Sequence, residues 1–88
     1  MGQRVLEIHL LNRPETQRKV QVDGSRPIGD VVREYLKEVN AQLNDYSIAV
    51  ETPRGLVPVD ESMSVDRVIR ELGSDRVQVM PQNIIFGY

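Results

Sequence analysis

Alternating apolar residues at the two ends of the chain constrain its fold more than any other feature. Leu6, Ile8 and Leu10 lie at every second position, and Val77 and Val79 repeat the pattern near the other end. Period two with a single apolar side indicates a strand that buries one face. The chain therefore begins and closes with strands, and its fold must contain a sheet built from distant segments.

A hairpin and a long helix are predicted to follow the first strand. Pro14 predicts a loop of four or five residues, and Val20 and Val22 then mark a returning strand over 17–23. Ser25 is expected to cap the helix that starts at Ile28. Tyr35 lies beside the apolar stripe of that helix, which consists of Ile28, Val31, Val32, Leu36 and Val39.

The second half of the chain predicts two more strands, a second short helix and the closing strand. A third strand is predicted over 46–51, and Pro58 places the short fourth strand, 56–59, at a sheet edge. Ser64 is expected to cap the short helix, and Gly73 to end it. The last strand is predicted over 76–80.

Charge and cysteine content exclude several classes of function. The 88 residues make one small domain, and 11 basic and 13 acidic side chains are interspersed to a net charge of -2. Nucleic-acid binding draws most of its affinity from clustered Lys and Arg, so no nucleic-acid partner is expected. The absence of cysteine excludes disulfides, thiolate metal sites and nucleophilic thiols.

Other absences point away from membranes and catalysis. No apolar stretch approaches the ~18 residues of a membrane span, and the N-terminus lacks the features of a signal peptide. We therefore expect a soluble cytoplasmic protein with no membrane partner. His9 is the single histidine and has no carboxylate motif around it, so no metal and no cofactor are expected. Without a nucleophile beside a base, or a glycine-rich phosphate loop, the chain is not expected to be an enzyme.

From residue 4 to residue 80, the predicted elements resemble those of ubiquitin-like proteins. The resemblance covers the opening hairpin, the helix starting Ile28-Gly29-Asp30-Val31-Val32 and the Ser64–Leu72 piece, while segment 75–81 is also similar to the closing strand of bacterial sulfur carriers. It implies an α+β fold, the β-grasp, with a mixed four- to five-stranded sheet in the order 2-1-5-3-4. The long helix packs on one face, a second helix is short, and the other face is open. The domain is expected over 1–82, followed by a hydrophobic tail over 83–88.

The resemblance implies a non-catalytic protein that binds other proteins, as an adaptor or a small subunit of an assembly. Ubiquitin binds partners through the open face, which here should present Glu7, His9, Leu11, Ser47, Ala49, Gln78 and Met80. The expected partner contacts are His9, Leu11, Ala49 and Met80 on that face and Ile84, Ile85 and Phe86 in the tail. A merely solvated face, and a tail folded back on the domain, stay open as alternatives.

The resemblance also implies an alternative function. Ubiquitin-like modifiers and sulfur carriers end in Gly-Gly, and an activating enzyme adenylates the terminal carboxylate. This chain departs from that pattern, because it has one glycine near the end, Gly87, in place of two, and Tyr88 follows it. A peptidase that removed Tyr88 would expose Gly87 as the conjugation residue, and the peptidase and the activating enzyme would then be partners.

Overall fold

A computed structural model describes residues 2–43 and 45–81 of the chain. In order along the chain, the elements are β1 (Gln3–Leu10), β2 (Arg13–Asp23), α1 (Ile28–Glu38), β3 (Tyr46–Thr52), β4 (Gly55–Val59), α2 (Val65–Leu72) and β5 (Arg76–Pro81). They form a five-stranded sheet in the order β2-β1-β5-β3-β4. β1 and β5 pair in parallel, and the other neighbouring strands pair antiparallel. The predicted mixed sheet and its strand order are confirmed.

The core lies between one face of the sheet and the two helices. Alternate residues of β1, β3 and β5 face inward, where they meet the apolar stripe of α1 and the buried face of α2. The fully buried side chains of this core include Leu6, Ile8, Ile28, Val32, Val50, Val65, Val68, Val77 and Val79. Tyr35, predicted to lie beside the stripe, is itself buried, and its hydroxyl donates a hydrogen bond of 2.8 Å to the carbonyl oxygen of Thr16.

The first hairpin turn is shorter than its sequence predicted. Leu10 pairs with Arg13, so the turn consists of Leu11 and Asn12, and β2 begins before Pro14. Asn12 adopts φ 64°, a left-handed conformation that Asn tolerates better than most residues and that lets the chain reverse at once. Pro14 is compatible with strand structure because β2 lies at the sheet edge. The predicted loop of four or five residues is therefore wrong.

The start of α1 is capped by a neighbouring segment and not by Ser25. The N-cap residue is Pro27, which makes no side-chain hydrogen bond. Ser25 instead donates from its backbone N–H and its hydroxyl to Oδ1 of Asp23, and these bonds lower the pKa of Asp23. The N–H groups of Ile28 and Gly29 have no acceptor within the helix. They donate instead to backbone carbonyl oxygens of the segment before α2, at 2.7 and 2.9 Å. The predicted Ser25 cap is wrong because tertiary contacts satisfy the helix start.

The predicted ends of α2 are confirmed. The Ser64 hydroxyl oxygen accepts a hydrogen bond of 3.2 Å from the backbone N–H of Arg67. Gly73 follows the last turn with φ 67°, the left-handed conformation that commonly ends a helix. The N–H of Gly73 donates to the carbonyl oxygen of Ile69 at 2.8 Å. These local signals act within one turn of the helix, which is why they could be read from sequence.

Replacing Thr16 with valine tests the side-chain hydrogen bonds that hold the turn of the first hairpin. The buried Thr16 hydroxyl accepts from the Leu10 N–H at 3.0 Å and donates to the Arg13 carbonyl oxygen at 2.6 Å. Thr16→Val leaves both groups unpaired, and we expect the free energy of unfolding in urea to fall by about 1–3 kcal/mol. Thr52→Val is the matched control, because Thr52 makes the same two kinds of bond at an exposed turn. Equal losses for the two variants would contradict the expectation.

Gly29→Ala should destabilise the protein although alanine normally favours a helix by about 1 kcal/mol over glycine. A Cβ at Gly29 would lie 2.6 Å from Cβ of Glu61 and 3.0 Å from the Glu61 carbonyl oxygen. That oxygen accepts the Gly29 N–H, so relieving the overlap would stretch the bond that caps α1. We expect a loss of about 1–3 kcal/mol in urea unfolding. The control, Lys37→Ala on the exposed side of α1, should change stability by less than about 0.5 kcal/mol, and a gain for Gly29→Ala would refute the argument.

Candidate functional site on the open face of the sheet

The face of the sheet opposite the helices, called here the open face, carries the candidate site. It is formed by the residues that alternate with the inward-facing ones. The pairing of strands sets His9 beside Gln78, Gln78 beside Ala49, and Ala49 beside Pro58, so these four residues form one row across four strands. Glu7 and Arg76 are paired in the adjacent row. Residues far apart in sequence therefore meet on one surface.

The structure places the four sequence-predicted contacts of the domain on or beside this face. His9 lies near its centre and is half-buried, while Met80 pairs with Ser47 toward one end. Leu11 follows β1 at the same end, where its N–H donates to the Val79 carbonyl oxygen at 3.0 Å. Ala49 is different, because its exposure is 0%. Its methyl group forms part of the floor of the face and does not reach the surface.

The other predicted site residues lie outside the described residues. They are Ile84, Ile85, Phe86 and the possible conjugation residue Gly87.

A polar network at the centre of the open face was not predicted from sequence. Nε2 of Gln17 donates to Oε1 of Glu7 at 2.7 Å, and Oε2 of Glu7 lies 3.8 Å from Nε of Arg76. The network also includes His9, whose Nε2 atom lies 3.9 Å from Oε2 of Glu51. Together these side chains line a shallow depression of about 160 Å³. Continuing the alternation of their strands would have placed Gln17, Glu51 and Arg76 on this face, whereas their proximity to Glu7 and His9 depends on strand register.

Gln78 carries an unsatisfied polar atom within this face. Its Nε2 donates to Oε2 of Glu51 at 2.9 Å. Its Oε1 is buried and has no hydrogen-bond partner among the residues that the structure describes. A buried acceptor without a donor costs stability, so this oxygen needs an explanation.

Two large apolar side chains are exposed in the described part of the chain, and both belong to the open face. Val5 on β1 is 48% exposed and Leu56 on β4 is 42% exposed. They lie at opposite margins of the face, because Val5 precedes the paired segment of β1 and β5 and Leu56 lies on the edge strand. The open face thus has a polar centre and apolar margins.

Within residues 2–43 and 45–81, no group of three or more His, Asp and Glu side chains is arranged to hold a metal ion. In the same residues, no helix has both the length and the apolar character needed to cross a membrane.

Comparisons with known proteins identify the fold. The structure is similar to the C-terminal ubiquitin-like domain of mouse tubulin-specific chaperone e, with a TM-score of 0.71, 16% identity, and coverage of 98% of this chain and 93% of that one. It is also similar to the designed protein dRafX6, with a TM-score of 0.65, 17% identity, and coverage of 92% of this chain and 99% of that one. No family model and no curated protein matches the sequence. The fold is a ubiquitin-like β-grasp, as the sequence predicted, and at these identities the likeness concerns the fold alone.

The unsatisfied oxygen of Gln78 leads to a stability prediction. Gln78→Met removes the buried acceptor together with the donor to Glu51, and the two effects should offset, leaving the free energy of urea unfolding within about 0.5 kcal/mol. Gln17→Met is the matched control, because it removes a donor to Glu7 and deletes no buried unpaired oxygen. A loss for Gln78→Met that exceeds the loss for Gln17→Met by more than about 1 kcal/mol would show that Oε1 is satisfied in solution.

Proposed function

We propose that this chain is a non-catalytic ubiquitin-like protein that acts by binding other proteins, as an adaptor or a small subunit of a larger assembly. The open face is the docking surface, with His9, Leu11 and Met80 among its contacts and Ala49 in its floor. The tail residues Ile84, Ile85 and Phe86 are proposed as a second contact. We expect the partner to be a cytoplasmic protein.

The observation that carries this proposal is the position of the exposed apolar side chains. A domain of this size must bury most of its large apolar residues to be stable. Val5 and Leu56 remain exposed, and both lie on the face that neither helix covers. They lie at opposite margins of that face, so a partner that spanned the face would bury both of them. The likeness to a ubiquitin-like domain of a chaperone is compatible with such a binding module.

Apolar-to-cationic substitutions on the open face test the docking surface. Val5→Arg and Leu56→Arg place a charge on exposed margins of the face, and an arginine at position 56 lies opposite Glu51 in the sheet, so the fold should tolerate it. We expect the amount of partner that copurifies with the tagged chain from its native cells to fall by about tenfold or more. Circular dichroism melting curves should show that both variants remain folded.

Glu38→Arg is the matched control, because it introduces the same side chain at an exposed position of α1, away from the open face. It should leave the recovered partner unchanged. If Val5→Arg and Leu56→Arg retain the partner as well as this control does, the open face is not the docking surface.

The second candidate function is a modifier or sulfur carrier activated at Gly87 after removal of Tyr88. It is favoured only by the sequence resemblance, since Gly87 lies outside the described residues. The intact mass of the chain from native cells separates the two functions. A mass lower by one tyrosine residue, a thiocarboxylate or an adduct to another protein supports the modifier, whereas an unmodified chain in a complex with a fixed partner supports the binding protein.

A further inference from the structure

The first half of β1 has a free edge in the interior of the strand order. β5 begins at Arg76, opposite Glu7, so residues 3–6 of β1 have β2 on one side and no described strand on the other. Residues 73–75, which connect α2 to β5, border this gap, and a depression of about 490 Å³ lies between them and β1. Gln3, Val5 and Ile69 are among the residues that line the depression, named here the edge slot.

The backbone groups of Gln3 and Val5 point into the edge slot. Along a strand, successive residues direct their N–H and C=O groups to opposite edges. The N–H of Glu7 donates to the carbonyl oxygen of Asp75 on the β5 side, whereas the carbonyl oxygen of Gly2 accepts a hydrogen bond on the β2 side. Gln3 and Val5 alternate in phase with Glu7, so their groups face the slot, where no described backbone group pairs with them. The slot therefore offers two donors and two acceptors at the spacing of a strand.

The outer edges of the sheet carry features that hinder strand pairing, and the edge slot does not. β2 contains Pro14 and Lys19, and β4 contains Pro58. Proline and lysine on edge strands oppose the addition of a further strand. The pairing positions of the slot are Gln3 and Val5, and neither is proline or charged. Among the free edges of the described sheet, the slot is thus the one best suited to accept an extended segment.

We propose that the edge slot receives a short extended segment of the protein that docks on the open face, added to β1 as a strand in line with β5. This inference rests on the proposed function, because it specifies how the docked partner is held. Hydrogen bonds to the backbone of Gln3 and Val5 supply affinity and register, as in other cases of strand addition. The Val5 side chain, 48% exposed, makes the slot continuous with the open face.

The side chains beside the slot define the segment further. Successive residues of an added strand point to opposite faces of the sheet. The residue opposite Val5 therefore packs on the open face, and the next one points toward the helices, where Ile69 is only partly buried against the core. The segment that fits best has two consecutive apolar residues at these positions.

An NMR titration with a synthetic peptide tests the slot without knowledge of the partner. The labelled full chain is titrated with acetyl-Ser-Thr-Val-Ile-Thr-Ser-amide, an uncharged peptide that favours extended structure. The control peptide has the same sequence with N-methyl groups on its four central residues, which remove their donors. We expect the first peptide to shift the amide signals of Gln3 and Val5 and to slow exchange of the Val5 amide proton with water. The N-methylated peptide should bind about tenfold more weakly or less, because it cannot donate to the carbonyl oxygens of the slot.

Val5→Pro and Gln21→Pro form a matched pair of variants. Val5 and Gln21 face each other across the hairpin, and neither N–H pairs between β1 and β2, because the neighbouring residues make those bonds. Val5→Pro removes a donor of the slot and should weaken binding of the unmodified peptide about tenfold or more. Gln21→Pro removes a donor of the outer edge of β2 and should leave binding unchanged. The N-methylated peptide makes the same comparison on the natural chain, so the test does not depend on the folding of either variant.

Equal binding of the two peptides, or a wild-type chain that responds to neither at millimolar concentration, would overturn the proposal. Binding that is lost in Gln21→Pro and kept in Val5→Pro would do the same, because the peptide would then pair with β2. Two other occupants are also tested by the Val5 amide of the free chain. Slow exchange that ends on dilution would assign the slot to a second copy, and slow exchange that ends when the chain is truncated after Pro81 would assign it to residues 82–88.

The docking surface is judged separately from the slot. Leu56 lies at the margin of the open face opposite Val5 and does not line the slot. If the peptide experiments fail and Leu56→Arg still loses the copurified partner, the open face stands as the docking surface and the slot does not. If the peptide enters the slot and Leu56→Arg retains the partner, the slot stands and the open face does not.

Discussion

The parallel pairing of β1 with β5 is the contact on which the rest of the structure depends. It joins the first hairpin to the three strands from the second half of the chain, and the sheet order contains no other link between these two parts. The paired segment is short, running from Glu7 beside Arg76 to Leu10 beside Val79. Backbone bonds extend it at both ends, from Glu7 to Asp75 and from Leu11 to Val79, each at 3.0 Å. Because these strands are the most distant in sequence, closing the sheet carries a large loop-closure cost, which the buried rows of Leu, Ile and Val beneath them offset.

Local signals in the sequence predicted structure well, and tertiary contacts explain the failures. Ser64 and Gly73 mark the ends of α2 as predicted, because a cap acts within one helical turn. The predictions drawn from Ser25 and from Pro14 were wrong, each for a different reason. The carboxylate of Asp23 engages both donors of Ser25, while distant carbonyl groups cap α1 in its place. Pro14 was expected to interrupt the chain, but its edge position requires no donated hydrogen bond toward a further strand.

Alternation predicted which residues belong to the open face but not which of them are accessible. Ala49 is fully buried because it lies between Gln78 on one side and Pro58 on the other. Val5 is exposed because its strand pairs with β5 only from Glu7 onward, so it has a neighbour on one side alone. Strand order and register decide both cases, and they are set by pairing between distant segments. The residue types alone could not predict that Ala49 is buried beneath the face and that Val5 is exposed on it.

The distribution of polarity on the open face differs from that of most protein interfaces, and this difference bears on specificity. Interfaces usually have an apolar centre and a polar rim, whereas here the carboxylates lie at the centre and the exposed apolar side chains lie at the margins. The depression at the centre, of about 160 Å³, is also smaller than the ~300–1,000 Å³ of typical small-molecule sites. A purely apolar partner would bury Glu7 and Glu51 without compensation, at a cost that rises steeply as water leaves. Under the proposed function, the central polar side chains would therefore select against partners that the apolar margins alone would accept.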